Sequence, residues 1–299
     1  MGTGPLISAA DLAQRLEQGS RTVLLDVRWA LGDPHGHAHY LAGHLPGAVY
    51  VDLPGELAAP AEPSRGRHPL PAAADFQVAA RGWGINDGDT VVAYDDSGNL
   101  AAARLWWMLR DAGLGEVYLL DGGLAAWRAA GLPVESGTVA PSEGNVTLGT
   151  GNMPVLDAGA AGTWADTGLL LDARAGERYR GEVEPVDPRA GHIPGALSAP
   201  TSDNLDGDGR FLPAADLHAR FTGLGVRAGV PVAVYCGSGV TAAHEVAALE
   251  IAGFRAALYP GSFSEWSNNP ELPVAAGAAP RGDGPPSGIA PGRGGTVAL

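Results

Sequence analysis

The 299-residue chain contains no lysine; all 19 of its basic residues are arginine. Schiff-base chemistry on an ε-amino group and the Gly-Lys phosphate loop are therefore excluded. There is a single cysteine, Cys236, so neither an internal disulfide nor a cluster of thiolate metal ligands can form. Positive charge is scarce: 19 basic side chains stand against 33 acidic ones, for a formal net charge of -14. With no basic run, a surface for nucleic acid or anionic membrane is not expected. Nowhere do 18 apolar residues follow one another, and Met1 to Gln14 has neither a basic start nor an apolar core of signal length. The expectation is a cytoplasmic protein without membrane contacts. What the chain has in quantity is core and turn material, 45% hydrophobic residues with 45 Gly and 24 Pro, enough for one large or two ordinary domains.

Self-comparison favours two. Leu24-Leu25-Asp26-Val27-Arg28 returns as Leu170-Leu171-Asp172-Ala173-Arg174, and Gly43-His44-Leu45-Pro46-Gly47-Ala48 returns as Gly191-His192-Ile193-Pro194-Gly195-Ala196. Val91-Val92-Ala93-Tyr94-Asp95 returns as Val232-Ala233-Val234-Tyr235-Cys236. The pairs Gly122 with Trp127 and Leu132-Pro133-Val134 return as Gly261 with Trp266 and Leu272-Pro273-Val274, in the same order. These blocks divide the chain into a first domain over 1–136, a linker over 137–154 without hydrophobic period, a second domain over 155–275 and a Gly/Pro/Ala-rich tail over 276–299 expected to be mobile.

Within each copy, short apolar runs alternate with helical patterns. The runs at 22–27, 90–94, 117–120, 168–173, 231–235 and 256–259 read as buried strands. The segment 101–112 places Leu105, Met108, Leu109 and Ala112 on one face and stops at Gly113; 241–252 behaves alike before Gly253. Ser8 with Asp11 reads as a helix N-cap. The fold class is α/β: two domains, each a mainly parallel sheet flanked by helices, with sites at the carboxyl ends of strands.

Cys236 ends one of those strands and is followed by Gly237-Ser238-Gly239-Val240-Thr241 at the start of a helix. Glycines let such a loop curl until several N–H groups face one atom, and the helix N-terminus adds partial positive charge. Both favour a thiolate. Asp95 holds the equivalent position in the first copy, so only the second copy can be nucleophilic.

The Gly-His-Leu/Ile-Pro-Gly-Ala blocks, the Cys-Gly-Ser-Gly-Val-Thr loop and the Gly-x-x-x-x-Trp segments together resemble the tandem-domain rhodanese family of sulfurtransferases, over nearly all of the chain up to Val274. The resemblance implies a non-catalytic first domain packed on a catalytic second one. It also implies a Cys236 persulfide that takes sulfur from a small anionic donor and passes it to a thiol, cyanide or a thioredoxin-like acceptor, with no cofactor and no metal. Thiosulfate sulfurtransferases carry Arg and Lys after the cysteine, whereas mercaptopyruvate sulfurtransferases carry Gly-Ser or Gly-Thr, as here. A pyruvate enolate leaving group needs a proton, which a hydroxyl relays better than a cation does. By the same resemblance Ser238, His68 and Asp52 form a Ser-His-Asp relay, with Asp52 orienting the imidazole. Arg178 matches a substrate-binding arginine. The family's second arginine follows a Glu-Pro pair, but Glu184-Pro185 is followed here by Val186, and Arg189 is the nearest candidate for that role. Gly237, Gly239, Val240, Thr241 and Trp29 complete the implied pocket. The expected donor is 3-mercaptopyruvate, with thiosulfate or a non-turnover persulfide carrier as alternatives.

Other motifs are weaker. A phosphatase loop needs Arg six positions after the cysteine, where Ala242 stands. Asn204-x-Asp206-x-Asp208-Gly209 begins like a calcium loop but has Ala215 where a bidentate Glu is required, and reads as a turn.

Overall fold

The computed structural model describes residues 4–283. Its first half contains strands β1 (Leu6–Ile7), β2 (Thr22–Asp26), β3 (Val49–Tyr50), β4 (Thr90–Tyr94) and β5 (Val117–Leu120). Between them run helices α1 (Ala9–Glu17), α2 (Gly36–Ala42), α3 (Leu53–Glu56), α4 (Ala73–Gly82) and α5 (Ala102–Asp111), with α6 (Gly123–Ala129) after β5. The second half has strands β6 (Leu169–Asp172), β7 (Leu197–Ser198), β8 (Val232–Tyr235) and β9 (Ala257–Leu258), with helices α7 (Ala158–Trp164), α8 (Gly176–Arg180), α9 (Ala214–Gly223), α10 (Thr241–Ile251) and α11 (Ser262–Asn268). Each expected strand is found to within a residue or so of its ends, and Ser8 Oγ accepts the Asp11 N–H at 3.1 Å as an N-cap should.

Both sheets are wholly parallel, ordered β1-β5-β4-β2-β3 and β7-β6-β8-β9. The central strands β4 and β8 are buried throughout, which is why they read as unbroken apolar runs rather than alternating ones. Asp95 and Cys236 immediately follow these two strands, at their carboxyl ends.

The repeated Asp-x-Arg blocks act as pins. Arg28 forks onto Asp26 and donates to the Gly43 carbonyl at 2.8 Å; Arg174 forks onto Asp172 and donates to the Gly191 carbonyl at 2.6 Å. Each pair ties the Gly-His-x-Pro-Gly loop to the strand beside it. In that loop His44 and His192 stack on Tyr40 and Tyr179 and bond to the tyrosines' carbonyls, a structural role.

The one-sided pattern of 101–112 and 241–252 is overridden by tertiary packing. Helices α5 and α10 lie against each other where the two halves meet, so neither keeps a solvent face along Ala102–Leu109 or Ala242–Leu249. Arg104, His244 and Glu245 are thereby buried with the apolar residues, as are Trp106 and Trp107. The segment 137–154 runs back along the first half, with Gly144 and Val146 bonded to Arg81 and Ile85, and Gly149 to Ala112. Of the stretch read as a mobile tail, 276–283 is hydrogen bonded to the second half, through Gly277 to the Arg180 carbonyl and the Pro280 carbonyl to the Gly195 N–H and to His192 Nε2. Residues 284–299 lie outside the described residues.

Replacing Arg174 by Met leaves the fully buried Asp172 carboxylate without its fork. A loss of about 3–5 kcal/mol in urea unfolding is expected, the cost of an uncompensated buried charge. A loss under about 1 kcal/mol would show that the pair does not hold the loop.

Candidate active site

The two strand-to-helix loops follow equivalent strands but differ in length, Asp95 standing seven positions before the start of α5 at Ala102 and Cys236 five before the start of α10 at Thr241, and they are filled differently. In the first half the Asp95 carboxylate accepts backbone N–H groups from Ser97 (2.9 Å), Asn99 (2.7 Å), Ala101 (2.9 Å) and Ala102 (3.1 Å). In the second half the Cys236 sulfur accepts one, from Gly239 at 3.1 Å. Among the described residues nothing accepts from the N–H groups of Ser238, Val240, Thr241 or Ala242, in the turn between β8 and the first residues of α10. The loop is therefore an anion nest, satisfied by a side chain in one copy and left to the sulfur in the other.

Local geometry dictates the glycine. Gly239 has φ +76°, and a Cβ there would stand 2.3 Å from the Pro260 carbonyl oxygen, so no side chain fits. Across from it Ser262, with φ 53°, accepts the Cys236 N–H at 3.1 Å and donates to the Tyr259 carbonyl at 2.8 Å. A left-handed serine held from both sides beside the sulfur fixes the base of the loop.

The first half completes the site. His68 Nδ1 lies 2.8 Å from Ser238 Oγ, a contact between residues 170 positions apart. The Trp29 ring meets the imidazole edge-on at 5.3 Å. Arg104 reaches across from α5, donating to the carbonyls of Gly239 (3.1 Å), His68 (3.0 Å) and Leu57 (3.1 Å). It is fully buried and meets no carboxylate among the described residues; burial pushes its pKa down to about 10, with the Cys236 sulfur acting in the opposite direction. The interaction is returned from the other side, since His244 on α10 bonds through Nε2 to the Gly98 carbonyl at 3.1 Å. Burial, reinforced by the charges of Arg104 and Arg67, pushes His68 down to about 4, so the imidazole is neutral at pH 7.

A cavity of about 280 Å³ beside them is lined by Trp29, Arg67, Arg178, Cys236, Gly237 and Ser238 together with Val240 and Thr241, while His68 and Arg104 are not among its lining residues. Arg178 is held from behind by Glu184 (2.7 Å) and Asp187 (3.2 Å). Two expectations are corrected. Asp52 is exposed at the N-terminus of the single-turn α3 and makes no hydrogen bond to His68; the charges acting on that imidazole belong to Arg104 and Arg67. Arg189 turns away from the cavity and donates to the carbonyls of Trp266, Ser267, Asn269 and Leu272, where the C-terminal end of α11 leaves acceptors without helical partners. Residues that the pattern alone did not mark are Arg104, Asp187, Ser262 and Arg67. The adjacency of Arg67 to His68 was the one available signal.

The rhodanese-like domain family matches the chain twice, over residues 8–130 and 157–269. A Mycobacterium tuberculosis protein named as the thiosulfate sulfurtransferase SseB is 50% identical over 92% of this chain and 98% of its own length. A Pseudomonas aeruginosa protein named as a 3-mercaptopyruvate sulfurtransferase is 47% identical over 93% of this chain and 100% of its own. The crystal structure of the Escherichia coli 3-mercaptopyruvate sulfurtransferase SseA superimposes with a TM-score of 0.77 at 34% identity, covering 87% of this chain and 99% of that one.

His68 and His244, pushed down to about 4 and about 3 by burial, are neutral in the fold but protonate near 6.5 once unfolded. Between those values the unfolded chain binds more protons, so the stability each contributes is complete above about pH 6.5 and is lost as pH falls, by up to about 1.4 kcal/mol per unit. Urea midpoints are expected to fall from pH 7.5 to pH 5, less steeply in His244→Gln than in the unsubstituted protein. Equal slopes would contradict the neutral buried imidazole.

Proposed function

The chain belongs to the rhodanese-like domain family and is a sulfurtransferase, and we propose that it moves a sulfane sulfur from 3-mercaptopyruvate to a thiol or cyanide acceptor through a persulfide on Cys236. The observation that carries this reading is the 2.8 Å contact between His68 Nδ1 and Ser238 Oγ, a hydroxyl with a neutral imidazole behind it one residue beyond Gly237 in the cysteine loop. That pair suits a leaving group that must be protonated.

In the first half-reaction the Cys236 thiolate attacks the donor sulfur. The carbon–sulfur bond breaks with its electron pair on carbon; the donor's S–H proton, released as the persulfide anion forms, is relayed by His68 and Ser238 to the enolate, which becomes pyruvate. Arg178 receives the donor carboxylate. The outer sulfur of the persulfide then lies at the turn that opens α10, where the N–H groups of Ser238, Val240, Thr241 and Ala242 have no acceptor among the described residues. An acceptor thiolate or cyanide attacks that sulfur, the sulfur–sulfur bond breaks with its pair on Cys236, and the enzyme returns to its starting state. Asp52 has no part in this relay. The His68 position is held instead by Arg104 on its carbonyl and by the Trp29 edge on its ring.

Thiosulfate is a second donor for a specific reason: Val186 and the turned-away Arg189 remove the second carboxylate-binding arginine expected of a mercaptopyruvate site. Sulfite then leaves with the electron pair of the sulfur–sulfur bond and needs no proton.

Intact mass measurement after incubation with each donor is expected to show one added sulfur on the protein and none on Cys236→Ser. Ser238→Ala is expected to slow mercaptopyruvate turnover by about 100-fold, the scale of a lost proton transfer, while sulfur uptake from thiosulfate changes little. The opposite pattern would remove Ser238 from the relay. Uptake of a single equivalent, from a protein donor only, would make the chain a carrier.

A further inference from the structure

Two guanidinium groups, one from each half of the chain, converge on Gly237. A Cβ built there would stand 2.9 Å from Arg67 Nη2 and 3.5 Å from Arg178 Nη1. Neither of those nitrogens has a hydrogen-bond partner among the described residues; the other bonds of both guanidinium groups run to carboxylates behind them. Asp187 is the shared support, its Oδ1 paired with Arg67 Nη1 and its Oδ2 with Arg178 Nη2 at 3.2 Å. The Arg67 backbone is tied down as well, its N–H donating to Ser264 Oγ at 3.0 Å. The carboxylates are the hidden members of this group: the side chains of Asp187 and Glu184 are 1% and 4% exposed, against 24% and 16% for Arg67 and Arg178. The cavity beside Cys236 is thus lined by the cations and not by the anions that balance them.

We propose that Arg67 determines donor binding: with Arg178 it forms a two-arginine clamp that takes the anionic end of the sulfur donor above Gly237. The identity of that anion rests on the sulfur-transfer reading; the clamp itself rests on the convergence of the two guanidinium groups. Thiosulfate enzymes place a cation on the loop, directly after the cysteine. In this chain the loop residue is Gly237, and the space left by its missing side chain is where the Arg67 guanidinium stands, delivered from the other domain. Arg67 also replaces the arginine that Val186 displaces. A planar fork accepts two oxygens of a carboxylate or of a thiosulfate equally well, so one clamp admits both donors.

The test uses the full chain with Arg67→Met and Arg67→Lys, their thermal midpoints measured alongside. Each protein is assayed for KM and kcat with 3-mercaptopyruvate and with thiosulfate. The ratio of Cys236 alkylation rates by iodoacetate and iodoacetamide, reagents that differ in charge and not in chemistry, is measured as well. Arg67→Met is expected to raise KM for both donors by about tenfold or more, the effect of losing a charge-assisted contact, with a smaller change in kcat. Its iodoacetate:iodoacetamide ratio is expected to fall by a similar factor, and Arg67→Lys to recover part of both. A folded Arg67→Met protein with KM within twofold of the original and an unchanged ratio overturns the clamp. Failure of the unsubstituted protein to take up sulfur from any donor overturns the sulfur-transfer reading instead, and the alkylation ratio still decides whether the clamp exists.

Discussion

A backbone loop that curls several N–H groups toward one point must have an anion, or an atom able to become one, at its centre. This constraint organises both halves of the molecule. Where Asp95 supplies the anion, four N–H groups close on its carboxylate and the loop has no further chemistry to offer. Where Cys236 stands, a single N–H reaches the sulfur, and Gly237, Ser238, Val240 and Thr241 line the cavity beside it. The two loops thus differ in what fills them and in length, Asp95 standing seven positions before α5 and Cys236 five before α10.

The same constraint explains why the first domain is retained. Alone, the second domain holds Cys236, Ser238 and Arg178, but not the imidazole or the cation over Gly237. Those arrive with the segment carrying Arg67 and His68, and that segment is positioned by Arg104, which grips the His68 and Gly239 carbonyls at once. The reciprocal bond from His244 to the Gly98 carbonyl makes the interface two-sided. Burying a guanidinium with no carboxylate partner is costly, and the cost is offset by carbonyl dipoles and by an adjacent sulfur that favours the charged form. The interface is therefore part of the site.

Much of the fold was legible because the signals are local. Unbroken apolar runs announce strands buried on both faces, and β4, β5 and β8 lie where the runs do. The repeat supplied the domain organisation, and the order of strand, Cys236, glycine-rich turn and helix was legible from the pattern as well. What was not legible depends on direction in space. Asp52 precedes a helix of one turn, too short for its sequence to say which way the carboxylate points, and the exposed carboxylate lies over Gly55 in that turn with no bond to His68. Arg189 stands in the chain where a substrate-binding arginine would be needed, yet the open carbonyls at the end of α11 claim four of its five N–H donors. Arg67 reads as one exposed arginine among many until the second domain places Asp187 and Gly237 beside it. The full burial of α5 and α10 was equally hidden, because a one-sided pattern does not reveal that another helix covers its far side.

We infer that the backbone N–H groups around Cys236 hold the transferred sulfur. Amide proton chemical shifts of isotopically labelled protein, recorded before and after loading with one equivalent of sulfur, test it most directly. Downfield shifts are expected for Ser238, Val240 and Thr241 on loading, reversed when an acceptor thiol removes the sulfur, with the Asp95 loop unmoved. Unchanged resonances at these three residues while Cys236 carries the sulfur would contradict it.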